Sequence, residues 1–185
     1  MEEKIRTLAT LAAKHFTAQL DAVALRTGKL TERIRIDHPE AAAVLAFLDQ
    51  RHIMMVRQWR YAIGQETLEI PAGKVDPGES LETCAVRELL EETVYREARL
   101  CSLFRYYPAI GYSNEVIEIF AASGLLKSEP ALDDDEISRV EVVPFDEMQD
   151  LIHRGVIRDG KTVIGASLFQ ARYGRGEIPA DFFTQ

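Results

Sequence analysis

Only two cysteines, Cys84 and Cys101, occur in the 185 residues; they form no CxxC pair and have no histidine at zinc-ligand spacing. That usage points to two small, reduced, mostly buried residues rather than a metal site. The four histidines, His15, His38, His52 and His153, are scattered without HxH or HExxH spacing and read as structural or exposed. No apolar run approaches the roughly 18 residues of a membrane span. The start, MEEKIRTLATLAAKHFTAQL, opens acidic and never stays apolar for long, unlike a secretory signal. A cytoplasmic protein with no membrane association is expected. Basic residues are also short: 22 Lys and Arg against 30 Asp and Glu, a net charge of −8, with no basic cluster. A nucleic-acid surface needs dense Lys and Arg, so no nucleic-acid partner is expected.

What is present is enough for one core: 46% of the chain is hydrophobic, and the length is too small for two comfortable domains. The first dozen residues, with Ile5, Leu8 and Leu11 or Ala12 on one side, predict a short helix. HFTAQLDAVAL and LTERIRI alternate around Thr27-Gly28-Lys29 and predict a hairpin. AAAVLAFL suits a strand buried on both faces. HIMMVRQW, TLEI, LCSLFRYY, EVIEIFAA and ISRVEVV follow as strands. Ser80, after the Pro77-Gly78 turn, is a plausible helix N-cap. FDEMQDLIHR and Lys161 to about Tyr173 read as further helices. Strands outnumber helices without regular alternation, which gives an α/β fold of the α+β type, helices packing on a mixed or antiparallel sheet. No repeat, low-complexity tract or linker is evident.

The chemistry concentrates in GKVDPGESLETCAVRELLEETVY, residues 73–95. On a helical wheel Glu88, Glu91 and Glu92 fall within an arc of roughly 100°, opposite Val86, Leu89, Leu90 and Thr93. Like charges at these spacings cost a few tenths of a kcal/mol each, and the helix dipole disfavours them near a C-terminus. A solvated acidic face is the bland explanation and fits poorly. A divalent cation resolves the conflict, since glutamate oxygens suit a hard ion such as Mg²⁺ that also takes phosphate oxygens.

The order Gly73, five residues, Glu79, seven residues, then Arg87-Glu88-Leu89-Leu90-Glu91-Glu92 resembles the Nudix box of the Nudix hydrolases. One position departs: the family has glycine where this chain has Val94. Valine disfavours a left-handed conformation by roughly 1–2 kcal/mol, so a different exit from the helix is expected. The resemblance runs from about His15 to Tyr173. VRQWRYAIGQETLEIPAGKVDPGE and YYPAIGYSNEVIEIFAASGL are similar to the ADP-ribose pyrophosphatase group, although that group typically has proline at Ile110.

The resemblance implies a Nudix fold, a mixed β-sheet sandwiched between helices. It implies residues 1–40 as N-terminal strands serving dimerisation and the substrate side, and residues 41–185 as the hydrolase domain. It further implies Mg²⁺-dependent hydrolysis of ADP-ribose to AMP and ribose 5-phosphate, with Mn²⁺ a possible substitute, by a homodimer. Carried over residue by residue, the Ala72 carbonyl, Glu88, Glu92 and Glu136 match metal ligands. Arg87 braces the carboxylates, and Glu91 or Asp134 orients the attacking water. Arg57, Arg60, Glu69 and Glu115 match substrate-side positions. On the residues alone, Arg57 and Arg60 read equally well as surface arginines, Asp133-Asp134-Asp135-Glu136 as a solvated loop, and Trp59 as packing. Other nucleotide sugars, dinucleotides and a non-catalytic ADP-ribose sensor are the alternatives. A zinc-carrying NADH hydrolase is disfavoured by the missing cysteines, and a sensor by the intact glutamates.

Overall fold

Residues Ala41–Phe47 alternate two apolar sets, and both are buried. Each set faces a different helix, which makes this strand the centre of the architecture. The computed structural model describes residues 1–96, 99–128 and 137–184. The strands in chain order are β1 (Glu3–Ala12), β2 (Thr17–Ala24), β3 (Leu30–Asp37), β4 (Ala41–Phe47), β5 (His52–Arg60), β6 (Gln65–Glu69) and β7 (Ala72–Lys74). After the helix α1 (Leu81–Thr93) come β8 (Tyr95–Arg96), β9 (Arg99–Tyr106), β10 (Ile117–Ser123), β11 (Leu126–Lys127) and β12 (Ile137–Pro144). Helices α2 (Phe145–His153) and α3 (Gly160–Gly174) follow.

The chain divides into two units. The first comprises Met1–Glu40 with Tyr106–Val116. It contains the antiparallel sheet β1-β2-β3, in which the predicted hairpin pairs Thr17 with Asp37 through to Ala24 with Leu30. The expected N-terminal helix is corrected here: Glu3–Ala12 is a strand paired with β2. The register slips between Lys4 and Arg6 and again between Thr7 and Ala9. Each bulge breaks the two-residue alternation, so apolar residues recur every third position and imitate a helical stripe. Asn114 closes the unit from within, its side chain accepting from the His38 amide at 2.8 Å and its own amide donating to the Ile36 carbonyl at 3.2 Å.

The second unit comprises Ala41–Arg105 with Ile117–Gln185. Its seven-stranded sheet has the order β12-β5-β4-β10-β9, with β6 on β5 and β7 on β4. β10 runs parallel to β4, while β5, β7 and β12 pair antiparallel with their neighbours. Ala42, Val44 and Ala46 of β4 pack with Phe120 and Ala122 of β10 against Cys84, Ala85 and Leu89 of α1. Burying a leucine such as Leu89 contributes roughly 1.5–3 kcal/mol. On the opposite face the Phe47 ring packs on Phe169 of α3, tilted by 35° with centroids 4.4 Å apart, and Gly165 lets α3 approach Ile119. The mixed sheet between helices is thus the architecture expected from the sequence. Trp59, expected to pack, is instead 59% exposed.

Candidate active site

The acidic helix begins as the sequence predicts: the Ser80 hydroxyl accepts from the Thr83 amide at 3.1 Å. Its end corrects an expectation. Val94 is the one non-glycine residue with positive φ among the described residues, at φ 62° and ψ 16°. Its amide donates to the Leu90 carbonyl and its carbonyl accepts from the Ser128 amide, both at 2.9 Å. These contacts, with β8 pairing onto β11 immediately afterwards, hold valine in the conformation the family reserves for glycine. Val94→Gly is therefore expected to raise stability by about 1 kcal/mol, part of the relief being offset by added unfolded-chain entropy. Urea denaturation checks this; a lower midpoint would show the exit to be unstrained.

Arg87 organises the carboxylates. Its Nε and Nη2 each donate to Glu79 at 2.9 Å, and Nη2 also donates to the Lys74 carbonyl at 2.9 Å. Nη1 donates to Glu88 at 2.7 Å and to Glu91 at 3.1 Å. Hydrogen bonding to Glu79 is the largest reason the guanidinium is held firmly charged. Glu79 also receives the Asp76 amide at 3.0 Å, which ties the turn before the helix to the arginine.

The three glutamates are not equivalent, and this refines the wheel. Glu91 is open to solvent, Glu88 mostly covered, and Glu92 lies at the edge of the buried face, 9% exposed. Glu92 accepts the Ala72 amide at 3.1 Å. Burial first, and then the Glu88 charge, push its carboxyl up to about 8. Burial likewise raises Glu88. Glu88 reaches its place because residue 73 is glycine: a Cβ there would stand 1.8 Å from the Glu88 carboxyl carbon. Burial pushes the Cys84 thiol up to about 12, which leaves it a poor nucleophile.

A second charged group lies in the same unit. Glu69, at the end of β6, is 2% exposed. It accepts Arg60 Nε at 2.8 Å and Nη2 at 2.5 Å, Thr67 Oγ1 at 2.5 Å, and the Lys161 ammonium. Those partners hold its carboxyl down to about 2 against the opposing effect of burial. Its carboxylate is taken up by Arg60 and Lys161 rather than left open to a ligand. Folded-state depression from 4.5 means that Glu69 stabilises the protein above pH 4.5, and that this is lost as pH falls toward 2. Glu69→Gln is expected to cost about 2–4 kcal/mol at pH 7, less than a wholly buried pair because Arg60 is partly exposed. The gap to wild type should close between pH 4.5 and 2 in denaturation curves; a gap constant with pH would contradict the ion pairing.

The remaining expected residues separate. Arg57 donates to Glu141 at 2.5 Å and lies 3.9 Å from Glu66. Glu115 belongs to the first unit, where it lies 3.5 Å from His38. Asp134 and Glu136 lie outside the described residues. Arg87, Glu88, Glu91, Glu92 and Ala72 are brought together, as are Arg60 and Glu69. Lys161, Asp159 and Thr162 were not expected. The one sequence signal for Lys161 is a cation in the first turn of a helix, where the dipole disfavours it.

Two covered, hydrogen-bond-anchored carboxylates, Glu88 and Glu92, thus sit on α1 beside the glycine of β7. The NUDIX domain model matches residues 37–163, and the chain belongs to the NUDIX family and is a Nudix hydrolase. It is 35% identical over 171 residues to the methanol dehydrogenase activator of Bacillus methanolicus, spanning 91% of this chain and 92% of that protein. It is 34% identical over 175 residues to the ADP-ribose pyrophosphatase of Bacillus subtilis (strain 168), spanning 93% and 95%. The fold matches a crystal structure of an ADP compounds hydrolase at a TM-score of 0.81 and 21% identity, covering 96% of this chain and 97% of that one. No helix among the described residues is long and apolar enough to cross a membrane.

Nudix hydrolases generally use divalent metal ions. The residues here fit one: burial raises the pKa of both covered carboxylates, the Glu88 charge raises that of Glu92 further, and a cation would offset both effects. Among the described residues no three acidic, histidine or cysteine side chains converge as a ready-made ligand cluster. Arg87 draws Glu88 and Glu91 to itself, and the Ala72 amide holds Glu92.

Proposed function

We propose that the chain hydrolyses the pyrophosphate of a nucleoside diphosphate derivative, with ADP-ribose, cleaved to AMP and ribose 5-phosphate, as the preferred substrate. The observation that carries this reading is the covered Glu88–Glu92 pair with its Gly73 cradle, in a chain similar over nearly its whole length to an ADP-ribose pyrophosphatase. Glu88, Glu92 and the Ala72 carbonyl, with Glu136, are the residues that would hold the ion, Mg²⁺ or in its place Mn²⁺. When bound, such an ion lowers the pKa of a coordinated water and offsets charge on the phosphates. Arg87 fixes Glu88 and Glu91 against mutual repulsion. Glu91 or Asp134 orients the attacking water and takes its proton. Arg57 and Arg60 bind phosphate oxygens, and Glu115 contacts the far side of the substrate. No covalent enzyme intermediate is required.

Residues 1–40 serve as a dimerisation and substrate-side extension of the hydrolase domain, 41–185. Supporting this, β1 is exposed along its whole length at the sheet edge, with Ile5 at 55% and Leu11 at 72%. Ile5→Lys with Leu11→Lys is expected to halve the mass of a dimer in light scattering; a monomeric wild type would contradict the extension's role. Two free cysteines suit a cytoplasmic setting.

A second reading, another nucleotide sugar, is favoured by Ile110, which is 80% exposed where the ADP-ribose group has proline. Chromatography after incubation with Mg²⁺ and a panel of ADP-ribose, GDP-mannose, NADH and diadenosine polyphosphates tests both. AMP and ribose 5-phosphate from ADP-ribose is the expected result. Preferential cleavage of another member moves the specificity, and binding without turnover makes the protein a sensor.

A further inference from the structure

Lys161 is the charge that the proposed chemistry leaves unused. It is 7% exposed, and a buried ammonium is costly unless paired. Its Nζ contacts Glu69 and lies 3.1 Å from Asp159. Asp159 caps α3, accepting the Thr162 amide at 3.0 Å and the Thr162 hydroxyl at 2.6 Å. Thr162 Oγ1 in turn accepts the Ile70 amide at 3.0 Å. The first turn of α3 therefore grips the end of β6, two residues before Ala72.

Charge balance alone does not explain this arrangement. Arg60 already pairs with Glu69 through two parallel hydrogen bonds, and the second cation needs Asp159 to balance it. What Lys161 adds is a contact to Glu69 Oε2 from the interior, on the same oxygen that receives Arg60 Nη2. A carboxylate held from both sides cannot turn, and a guanidinium bonded to it in fork geometry cannot turn either. Arg60 is tied through Nε and Nη2, so Nη1 has no hydrogen-bond partner among the described residues, and the side chain is 39% exposed. The arginine thus has one edge anchored and the other available to an anion. The group also lies within electrostatic reach of the acidic helix, since both Lys161 and Arg60 favour the ionised form of Glu92.

We propose that Lys161 is a positioning residue for substrate binding: by pinning the Glu69 carboxylate from the interior, it fixes the Arg60 guanidinium with its free edge toward the phosphates of the substrate. This rests on the pyrophosphatase reading for its kinetic consequence and on geometry alone for its structural one. The test therefore has two arms.

In the first, Lys161→Met is combined with Arg60→Ala in a double-mutant cycle on ADP-ribose hydrolysis. Lys161→Met should raise KM about tenfold, the size of one charge-assisted hydrogen bond, with kcat within about threefold. In the Arg60→Ala background the same change should move KM by less than about twofold, because the group it positions is gone. Equal effects in both backgrounds, or an unchanged KM, overturn the proposal. In the second arm, ¹⁵N relaxation of the Arg60 Nε–H group is measured without substrate. Restricted motion in the wild type and increased motion in Lys161→Met are expected; unchanged motion overturns the proposal even if ADP-ribose is not the substrate. Absence of AMP release by the wild type counts against the pyrophosphatase reading and leaves the second arm decisive. If Lys161→Met fails to fold, Lys161→Gln, which is polar but shorter and lacks the ammonium charge, replaces it with the same expectations. Failure of both to fold assigns Lys161 to the core alone and overturns the proposal.

Discussion

Glu92→Gln is expected to lower kcat by about 10²–10³-fold or more, the scale of losing one preorganised electrostatic group, while making the metal-free protein more stable. The two effects have one cause. Glu92 is buried at the edge of the α1 core face, and its carboxyl is pushed up to about 8 by burial and by Glu88. A folded-state pKa raised from 4.5 means that the stability it supports is complete below pH 4.5 and is lost as pH rises through about 8. Glutamine keeps an oxygen to accept the Ala72 amide and removes the buried charge. In EDTA the variant should gain about 1–3 kcal/mol above pH 8, with no gain below pH 4.5. Thermal denaturation against pH, beside steady-state kinetics, checks both halves. A variant with normal kcat would remove Glu92 from the site; one destabilised at every pH would make it a structural residue.

Gly73→Ala is expected to reduce kcat by a similar factor, about 10²-fold, without unfolding the protein. A Cβ at residue 73 would lie 1.8 Å from the Glu88 carboxyl carbon and 1.9 Å from Oε1. The atoms in the way are the far end of a flexible side chain, so Glu88 swings aside while β7 keeps its pairing with β4. Its oxygen would leave Arg87 Nη1, which stays bonded to Glu91, and the pair with Glu92 would be broken. A cooperative melt close to wild type with strongly reduced turnover is the expected combination. Full activity would show that Glu88 has no fixed place in the chemistry.

The acidic helix was legible from sequence because every signal for it is local. Ser80 caps, Gly73 and Glu79 stand at fixed offsets, and Arg87 reaches residues within fourteen positions of itself. The central strand was legible for a similar reason: AAAVLAF is apolar at every residue, and the structure buries both faces. The N-terminal strand was not, because two bulges turn an alternating pattern into a spacing of three. The conformation of Val94 was not legible, because a local penalty of about 1–2 kcal/mol is overridden by a contact from Ser128, which sequence does not place nearby. Lys161 and Glu69 are 92 positions apart, and although the resemblance marks Glu69 as a substrate-side position, nothing in the sequence pairs it with Lys161. Only the packing of α3 on the sheet brings them together. The local charge conflict on α1 thus pointed to its own resolution, whereas the Arg60–Glu69–Lys161 group became visible only in three dimensions.

The most direct test of the account is AMP release from ADP-ribose by the wild-type protein, measured by chromatography while EDTA is first added and then titrated with Mg²⁺. No AMP is expected in EDTA, with full recovery as free Mg²⁺ is restored. Release of AMP that continues undiminished in EDTA would contradict the assignment of Glu88 and Glu92 to a cation site.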